Sequence, residues 1–185
     1  MTLHRLSIVS AAVALTLAVA GSAPARAADA GKPKGMSYEQ AENLVREHIA
    51  TFDDLDYNVF TNQKWTELHK SHSKDVIVHW PDGHTTQGIE KHIEDLKAMF
   101  VWGPDTRIKV HTVKFGQGEW TAVIGVMEGT FTQPMPIGDG KFIQPTGKAY
   151  KITMATIGHW TGGVMNEEYL FWDNQEFMKE IGLGK

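Results

Sequence analysis

Ionisable side chains stand alone in two otherwise apolar segments that have strand-like composition. His79 lies within residues 76–80, and Glu167 and Glu168 interrupt residues 164–172. A carboxyl group in a cavity of low dielectric constant holds its proton more tightly, which is how acid/base carboxylates are tuned. Because adjacent residues of a strand point to opposite faces, only one of the two glutamates can face a pocket. We therefore take His79 and Glu168 as a candidate catalytic acid/base pair that shares one enclosed cavity.

These residues also have structural explanations. His79 is equally explained as a core histidine bonded to a backbone group. Glu128, which interrupts the uncharged residues 122–130, is better explained as an exposed glutamate at an edge or rim. The plentiful tryptophan and methionine side chains are more often core than ligand-binding residues. The residues that we predict to line a ligand pocket are Trp65, His84, Phe100, Glu128, Phe131, Met154 and Leu170.

Histidines are dense between residues 69 and 92, and neutral imidazoles are common metal ligands. Their spacing matches no metal-binding motif, and we expect His69, His72 and His92 on the surfaces of helices. The chain has no cysteine, which excludes thiolate metal sites, iron–sulfur clusters and thiol nucleophiles. The sequence motifs of nucleotide-binding loops, serine hydrolases and zinc proteases are absent. We predict neither a metal site nor a cofactor.

The composition is that of one globular domain. The 185 residues include 42% hydrophobic and 22% charged residues, enough to build a packed core. The formal net charge of -4 offers no excess of positive charge for a phosphate backbone, so we expect no nucleic-acid partner.

Residues 1–27 have the pattern of a secretory signal peptide. His4 and Arg5 form a basic start, residues 8–20 are apolar, and Ala25-Arg26-Ala27 is a small-residue cleavage pattern. The apolar run is shorter than the roughly 18 residues that a spanning helix needs, so we expect no membrane association of the mature chain. We predict a secreted or periplasmic protein, cleaved after Ala27 or Ala28, with a flexible leader over residues 28–36 and one domain over residues 37–185.

Helical patterns come first in the domain and strand patterns follow. Ser37 and Gln40 form a capping-box pattern before an amphipathic stripe that extends to Phe52. A short helix after Asn62, with Trp65, Leu68 and His69 inside, and a helix over residues 89–100 complete the first half. An antiparallel meander of four strands is then predicted over residues 107–115, 120–132, 148–160 and 164–172. Asp173 is predicted to cap a last helix. This order predicts an α+β fold with helices on one face of a curved sheet.

Several short motifs in the second half resemble a known family. They are Gly118-Glu119-Trp120, Glu128-Gly129-Thr130, Pro145-Thr146-Gly147, residues 163–168, Trp172-Asp173-Asn174 and Ile181-Gly182-Leu183. In this order and spacing they resemble the SnoaL-like polyketide (ester) cyclases of the nuclear transport factor 2-like superfold, over residues 37–183. The resemblance implies a cone of three helices wrapped by a bent sheet around a pocket. It also implies ring closure by aldol condensation without metal or cofactor.

Carried over by position, the resemblance implies a pocket role for His79 and Glu168. Two departures stand against a cyclase reaction: Leu170 occupies the suspected acid/base position, and Phe131 occupies a position where many members have histidine. Two functions therefore stay open. One is an exported pocket protein that binds a small hydrophobic molecule, and the other is a cofactor-independent acid/base enzyme of cyclase, isomerase or dehydratase type.

Both alternating sets of residues along 120–130 are apolar, whereas a half-covered antiparallel strand alternates apolar with polar residues. Three helices cover only one face of the sheet. We therefore expect a homodimer joined through the outer faces of two sheets. The alternative is a monomer in which the loop over residues 133–147 folds back over the patch.

Overall fold

The computed structural model describes residues 35–184. The predicted signal peptide and most of the predicted leader lie outside the described residues, so cleavage and export stay predictions. Within the described part of the chain, no helix combines the length and apolar character needed to cross a membrane.

Helix α1 (Tyr38–Asp54) begins with the predicted capping box. The Ser37 hydroxyl accepts a hydrogen bond from the Gln40 backbone N–H, and the Gln40 side-chain oxygen accepts one from the Ser37 N–H. This reciprocal pair satisfies two N–H groups that a helix start otherwise leaves unbonded. The buried side of the helix carries Ala41, His48 and Phe52.

A π-helical segment, Leu55–Phe60, follows α1 directly. Such segments are rare in proteins, and those that occur are often found at functional sites. This one buries Asp56 among apolar side chains and thus brings a carboxyl group inside the protein. The next segment, Trp65–Lys70, is a 3₁₀ helix. Helical spacing predicted His69 on the inner side of this helix, and the comparison of the histidines predicted it on the surface. The inner placement is wrong, because the imidazole is exposed and its Nδ1 bonds the nearby Thr66 carbonyl.

Strand β1 (His72–His79) and the short strand β2 (Thr85–Gln87) form a hairpin ahead of helix α2 (Ile89–Trp102). The predicted helix is confirmed and ends before Gly103. Strand β1 begins four residues earlier than residue 76. The sequence pattern does not predict β2, since three polar residues are too few for a strand signature.

The predicted antiparallel meander is confirmed. Its strands are β3 (Arg107–Gln117), β4 (Trp120–Thr130), β7 (Ala149–Thr161) and β8 (Val164–Trp172), with the small hairpin of β5 (Met135–Pro136) and β6 (Phe142–Ile143) between β4 and β7. The main sheet has the order β2-β1-β8-β7-β4-β3. Among the described strands, β1 and β8 are the one pair that runs in parallel. This parallel pairing brings the chain segments of residues 72–79 and 165–169 side by side.

One face of the sheet forms the core. Helix α1 packs on β3, α2 packs on β1, and helix α3 (Asn174–Glu180), capped by Asp173 as predicted, packs on β7. The inward side chains of the strands are buried, among them Val78, Ile108, Val123, Met127, Tyr150, Ile152 and Trp160. The structure therefore has the predicted α+β architecture, with helices against a curved and mostly antiparallel sheet.

Candidate functional site

Three buried ionisable side chains converge between β1, β8 and α2. His72 opens β1, Glu168 lies in β8, and His92 lies in the second turn of α2. The Glu168 Oε2 atom lies 3.6 Å from His72 Nε2 and 3.4 Å from His92 Nε2. The three side chains are at most 5% exposed. We refer to His72, His92 and Glu168 as the triad.

The surroundings of the triad favour a charged Glu168 carboxylate beside an uncharged His92 imidazole. Burial lowers the pKa of His92 to about 4. Burial alone would raise the pKa of Glu168, but the two imidazoles beside its carboxylate outweigh burial and lower that pKa. At neutral pH, Glu168 is therefore ionised and His92 is uncharged.

Ser71 lies beside the first ring nitrogen of His72. Its hydroxyl donates to the Leu68 carbonyl oxygen at 3.1 Å, and its oxygen lies 2.9 Å from His72 Nδ1. In the tautomer with the hydrogen on Nδ1, the Ser71 oxygen accepts that hydrogen and the lone pair on Nε2 lies beside the Glu168 carboxylate. In the other tautomer, Nε2 carries the hydrogen and points it at the carboxylate.

A second polar group, centred on His111 of β3, lies next to the triad. Its Nε2 is 2.8 Å from Asp56 Oδ2, and its Nδ1 is 2.7 Å from Asp53 Oδ1. Lys114 donates to the other oxygen of Asp53 at 2.7 Å, and the backbone N–H of His111 donates to the Tyr57 hydroxyl. Both ring nitrogens of a fully buried imidazole are thus paired with carboxylates.

This arrangement holds one more proton than neutral histidine supplies. A neutral imidazole has a single N–H, so two hydrogen bonds to carboxylates require a second proton on the ring or on an aspartate. Burial alone would lower the pKa of His111, but the hydrogen bonds and charges of Asp56 and Asp53 outweigh burial and raise it. Burial also raises the pKa of Asp56, against the hydrogen bond from His111. Asp56 and His111 therefore form a pair that can hold and transfer a proton.

Asp56 and the triad line the same interior cavity. Its volume is about 40 Å³, room for one or a few water-sized groups. Its other walls are mostly apolar, which lowers the local dielectric constant and strengthens electrostatic interactions among the polar groups. The remaining lining residues are Leu55, Phe60, Leu96, Ile108, Thr156 and Leu170.

The predicted pairing of His79 with Glu168 is wrong, because the two side chains lie on opposite faces of the sheet. In the parallel register, His79 is opposite Tyr169 and Glu168 is opposite Val78. His79 stacks on Tyr169 and its Nε2 lies 2.9 Å from Glu167 Oε1, in a partly exposed cluster on the outer face. Glu168 faces the interior, as predicted.

The predicted pocket residues do not form one pocket. Leu170 alone among them lines the interior cavity. Phe100, Phe131 and Met154 belong to the packed core, and Trp65 packs edge-on against Phe60 and Phe100. Two predicted members lie toward solvent: His84 pairs with Asp82, and Glu128 accepts a hydrogen bond from Arg107.

Sequence reasoning missed His72, His92, Asp56 and His111 as interior groups. One signal was available, since His92, Leu96 and Phe100 follow one another at intervals of four and form the buried side of α2. Our placement of His72 and His92 on helix surfaces is wrong, because one begins a strand and both are buried.

A larger groove lies away from the interior cavity, where the start of α1 approaches the turn between β3 and β4. Its volume is about 770 Å³, within the range of small-molecule sites. Most of its surface is apolar and comes from α1, β3, β4 and β7, including Ala41, Val45, Phe115, Trp120 and Ile157.

Helices that close one face of a curved, mostly antiparallel sheet have the architecture of the nuclear transport factor 2-like fold. The family model of the SnoaL-like polyketide cyclases matches residues 38–181. The chain belongs to that family. A comparison of the sequence with curated proteins gives no significant match.

Solved structures agree with this fold. A candidate SnoaL-like polyketide cyclase from Jannaschia sp. CCS1 aligns with 82% of this chain and all of its own, with a TM-score of 0.66 and 16% identity. IdmH from Streptomyces antibioticus, a candidate polyketide cyclase, aligns with 73% of this chain and 98% of its own, with a TM-score of 0.62 and 19% identity. A candidate ketosteroid isomerase from Kribbella flavida aligns over 70% and 79% of the two chains, with a TM-score of 0.51 and 14% identity. At these identities the likeness concerns the fold.

Proposed function

We propose that this chain is a small-molecule acid/base enzyme in which Asp56 and His111 transfer the proton. One observation carries the proposal: Asp56 lines the interior cavity while a fully buried His111 bonds it on one side and Asp53 on the other. A buried carboxyl group that shares an additional proton with a hydrogen-bonded imidazole matches what general acid/base catalysis requires.

The substrate class follows from the chemistry of this pair and of the cavity walls. A carboxylate removes a proton from carbon only where the electrons of the broken C–H bond have an acceptor, as at a position next to a carbonyl. The electrons then form an enolate, and Asp56 holds the proton until it returns to another atom. Leu55, Phe60 and Leu170 supply apolar walls. We therefore propose an enolisable, hydrophobic carbonyl compound as substrate.

Entry of this substrate requires side chains to move. The cavity of about 40 Å³ is well below the roughly 300 Å³ of the smallest usual ligand sites. Phe60, Leu96 and Leu170 line the cavity and belong to the apolar core, and moving an apolar side chain breaks no hydrogen bond. Opening at these residues would enlarge the cavity next to Asp56.

Deuterium incorporation tests the proposal. The wild-type protein is incubated in D₂O with ethyl acetoacetate and with cyclohexanone, and exchange of the protons next to the carbonyl is followed by NMR. Asp56→Asn should slow protein-dependent exchange by about 100-fold or more, because it removes the base. The matched control is Glu167→Gln, which changes a carboxylate on the outer face and should leave exchange unchanged. Exchange at the wild-type rate in Asp56→Asn would overturn the proposal.

The groove favours a second candidate function, binding of a hydrophobic molecule without chemistry. Its volume and its apolar lining from Val45, Phe115 and Trp120 support this use. The test is binding of the apolar dye anilinonaphthalene sulfonate, together with native mass spectrometry of protein from the producing cell. Phe115→Ser should weaken dye binding several-fold, and Val101→Ser, which alters another exposed apolar residue, on α2, should not. Equal dye binding by both variants would contradict a groove site.

A further inference from the structure

We infer that the triad of His72, His92 and Glu168 is a binding site for one divalent transition-metal cation of the Zn²⁺ type. The inference goes beyond the proposed proton transfer and does not depend on it, since neither Asp56 nor His111 belongs to the triad. Its first support is chemical: two imidazoles and one carboxylate are an established donor set for such cations.

The distances within the triad fit metal coordination better than hydrogen bonding. Glu168 Oε2 lies 3.6 Å and 3.4 Å from the two imidazole nitrogens, both longer than the usual 2.7–3.2 Å of a hydrogen bond. A tetrahedral cation with bonds of about 2.0–2.1 Å separates its ligand atoms by about 3.4 Å. The ligand atoms of the triad all lie within 4.8 Å of one another. Small side-chain adjustments would therefore bring all three onto one cation.

The triad also leaves buried polar atoms unpaired. Within residues 35–184, no group hydrogen bonds to His72 Nε2, His92 Nδ1 or Glu168 Oε2, although all three atoms are buried. An unpaired buried polar atom costs on the order of 1–3 kcal/mol, and more when it is charged. A cation between Glu168 Oε2 and His72 Nε2 would satisfy two of them.

His72 has a partner for its second ring nitrogen, as metal-binding histidines do. Its Nδ1 lies 2.9 Å from the Ser71 oxygen, and the tautomer with the hydrogen on Nδ1 leaves the Nε2 lone pair beside the carboxylate for a cation. In metal-binding histidines, the N–H of the second ring nitrogen almost always donates a hydrogen bond to such a partner. Ser71 is therefore a positioning residue in this inference, acting through His72.

The cavity beside the triad provides an open coordination position. It has room for a water-sized ligand, and Asp56 and Thr156 also line it. Three protein ligands and one open position are the arrangement of catalytic rather than structural zinc sites. When bound, the cation would polarise an oxygen atom in the cavity as a Lewis acid.

Metal titration of the untagged full chain tests the inference. After dialysis against a chelator, the protein is titrated with Zn²⁺ in competition with a chromophoric chelator, and separately with Co²⁺. We expect one ion per chain and the strong visible absorption of four-coordinate Co²⁺, while Mg²⁺ should not compete. If the wild-type protein forms no one-to-one Zn²⁺ complex, or if its Co²⁺ spectrum is of the six-coordinate type, the inference is overturned.

Variants locate the ion. Glu168→Gln and His92→Phe should weaken Zn²⁺ affinity more than 100-fold, and Ser71→Ala by about 10–100-fold. Two matched controls should retain wild-type affinity: His48→Phe changes another buried histidine, stacked on Trp160, and His84→Ala changes an exposed one beside Asp82. Affinity that survives in Glu168→Gln but falls in His84→Ala would mean adventitious surface binding and would overturn the inference.

The metal titration and the deuterium-exchange experiment fail independently. If Asp56→Asn loses exchange but binds Zn²⁺ normally, both proposals stand. If the wild-type protein exchanges deuterium but binds no Zn²⁺, only the metal site is refuted. If it binds Zn²⁺ but Asp56→Asn exchanges normally, only the proposed proton transfer is refuted.

Discussion

His79 Nε2 lies 2.9 Å from Glu167 Oε1 across the parallel pair of β1 and β8, on the face of the sheet opposite to Glu168. Tyr169 stacks on the His79 ring and donates its hydroxyl hydrogen to the same glutamate oxygen at 2.7 Å. These hydrogen bonds lower the pKa of Glu167. The two neighbouring glutamates of β8 thus have different surroundings, one on the outer face and one in the triad.

We predict that His79→Ala leaves the interior site intact. Because both partners of the His79–Glu167 pair are partly exposed, its loss should cost only about 1 kcal/mol of unfolding free energy. The measurements are urea unfolding and deuterium exchange with ethyl acetoacetate, in which the variant should stay within twofold of the wild-type rate. A rate loss near 100-fold would restore a catalytic role for His79.

The sequence predicted the elements of this fold better than the positions of its polar groups. The Ser37–Gln40 capping box and the Asp173 cap follow from local backbone chemistry, so they can be found in a few adjacent residues. The burial of Glu168 follows from its apolar strand. Its partners are separated from it in sequence by about half of the chain, and local patterns contain no record of the parallel pairing that joins them.

The faces of strands were harder to predict for a related reason. In the pair of β1 and β8, the register shifts between His72 and Ile77, so alternation cannot be extended along the whole strand. A one-residue shift exchanges the two faces. The shift affects the start of β1, where His72 lies. His79 lies beyond it and alternates with the buried Val76 and Val78, so its outward direction follows from the apolar pattern of residues 76–80, which our assignment to the face of Glu168 overlooked.

The His111 network should make stability depend on pH. The pKa of His111 is raised above its ordinary value of 6.5, so its contribution is complete below that value and is lost as pH rises through the folded-state pKa. The groups that face it are Asp53, Asp56 and Tyr57, with Lys114 bonded to Asp53. We predict that His111→Asn destabilises the protein more at pH 6 than at pH 9. Urea unfolding of both proteins at the two pH values measures this, and a difference that grows with pH would contradict it.

Gly129 should tolerate no side chain. A Cβ at this position of β4 would overlap the hydroxyl end of Tyr150 on β7, and that hydroxyl is bonded to Thr106 at 2.5 Å. Burial raises the pKa of Tyr150 to about 12, in keeping with a neutral, enclosed phenol. We predict that Gly129→Ala lowers the unfolding free energy by about 1–3 kcal/mol through overpacking. In Gly129→Ala combined with Tyr150→Phe the loss should be smaller than the sum of the single effects, and strict additivity in thermal unfolding would argue against this contact.

Export is a separate prediction, based on the Ala25-Arg26-Ala27 pattern. We propose that the protein is secreted or periplasmic and that its mature form begins at Ala28 or Asp29. The measurement is the intact mass of the protein from the culture medium and from the periplasmic fraction. Replacing Ala25 and Ala27 with larger residues should leave the precursor uncut. Soluble exported protein that retains residues 1–27 would contradict the prediction.

The outer face of the sheet presents a row of apolar side chains. Neighbouring strands pair Val113 with Ile124, Ile124 with Ala155, and Ala155 with Phe171. Val113 and Phe171 are 43% and 50% exposed, which is costly for a contiguous apolar surface in water.

We propose that a second copy of the chain covers this row in a symmetric homodimer, since a twofold arrangement lets each row bury the other. Ile124→Lys places a charge in the middle of the row and should convert the dimer to a monomer, because each copy would bring an unpaired charge into the interface. Light scattering at micromolar concentration measures the mass. The control is Val101→Lys, which charges an exposed residue of α2 and should leave the dimer intact. A wild-type protein of monomer mass would refute the dimer, and so would an Ile124→Lys variant that keeps the dimer mass.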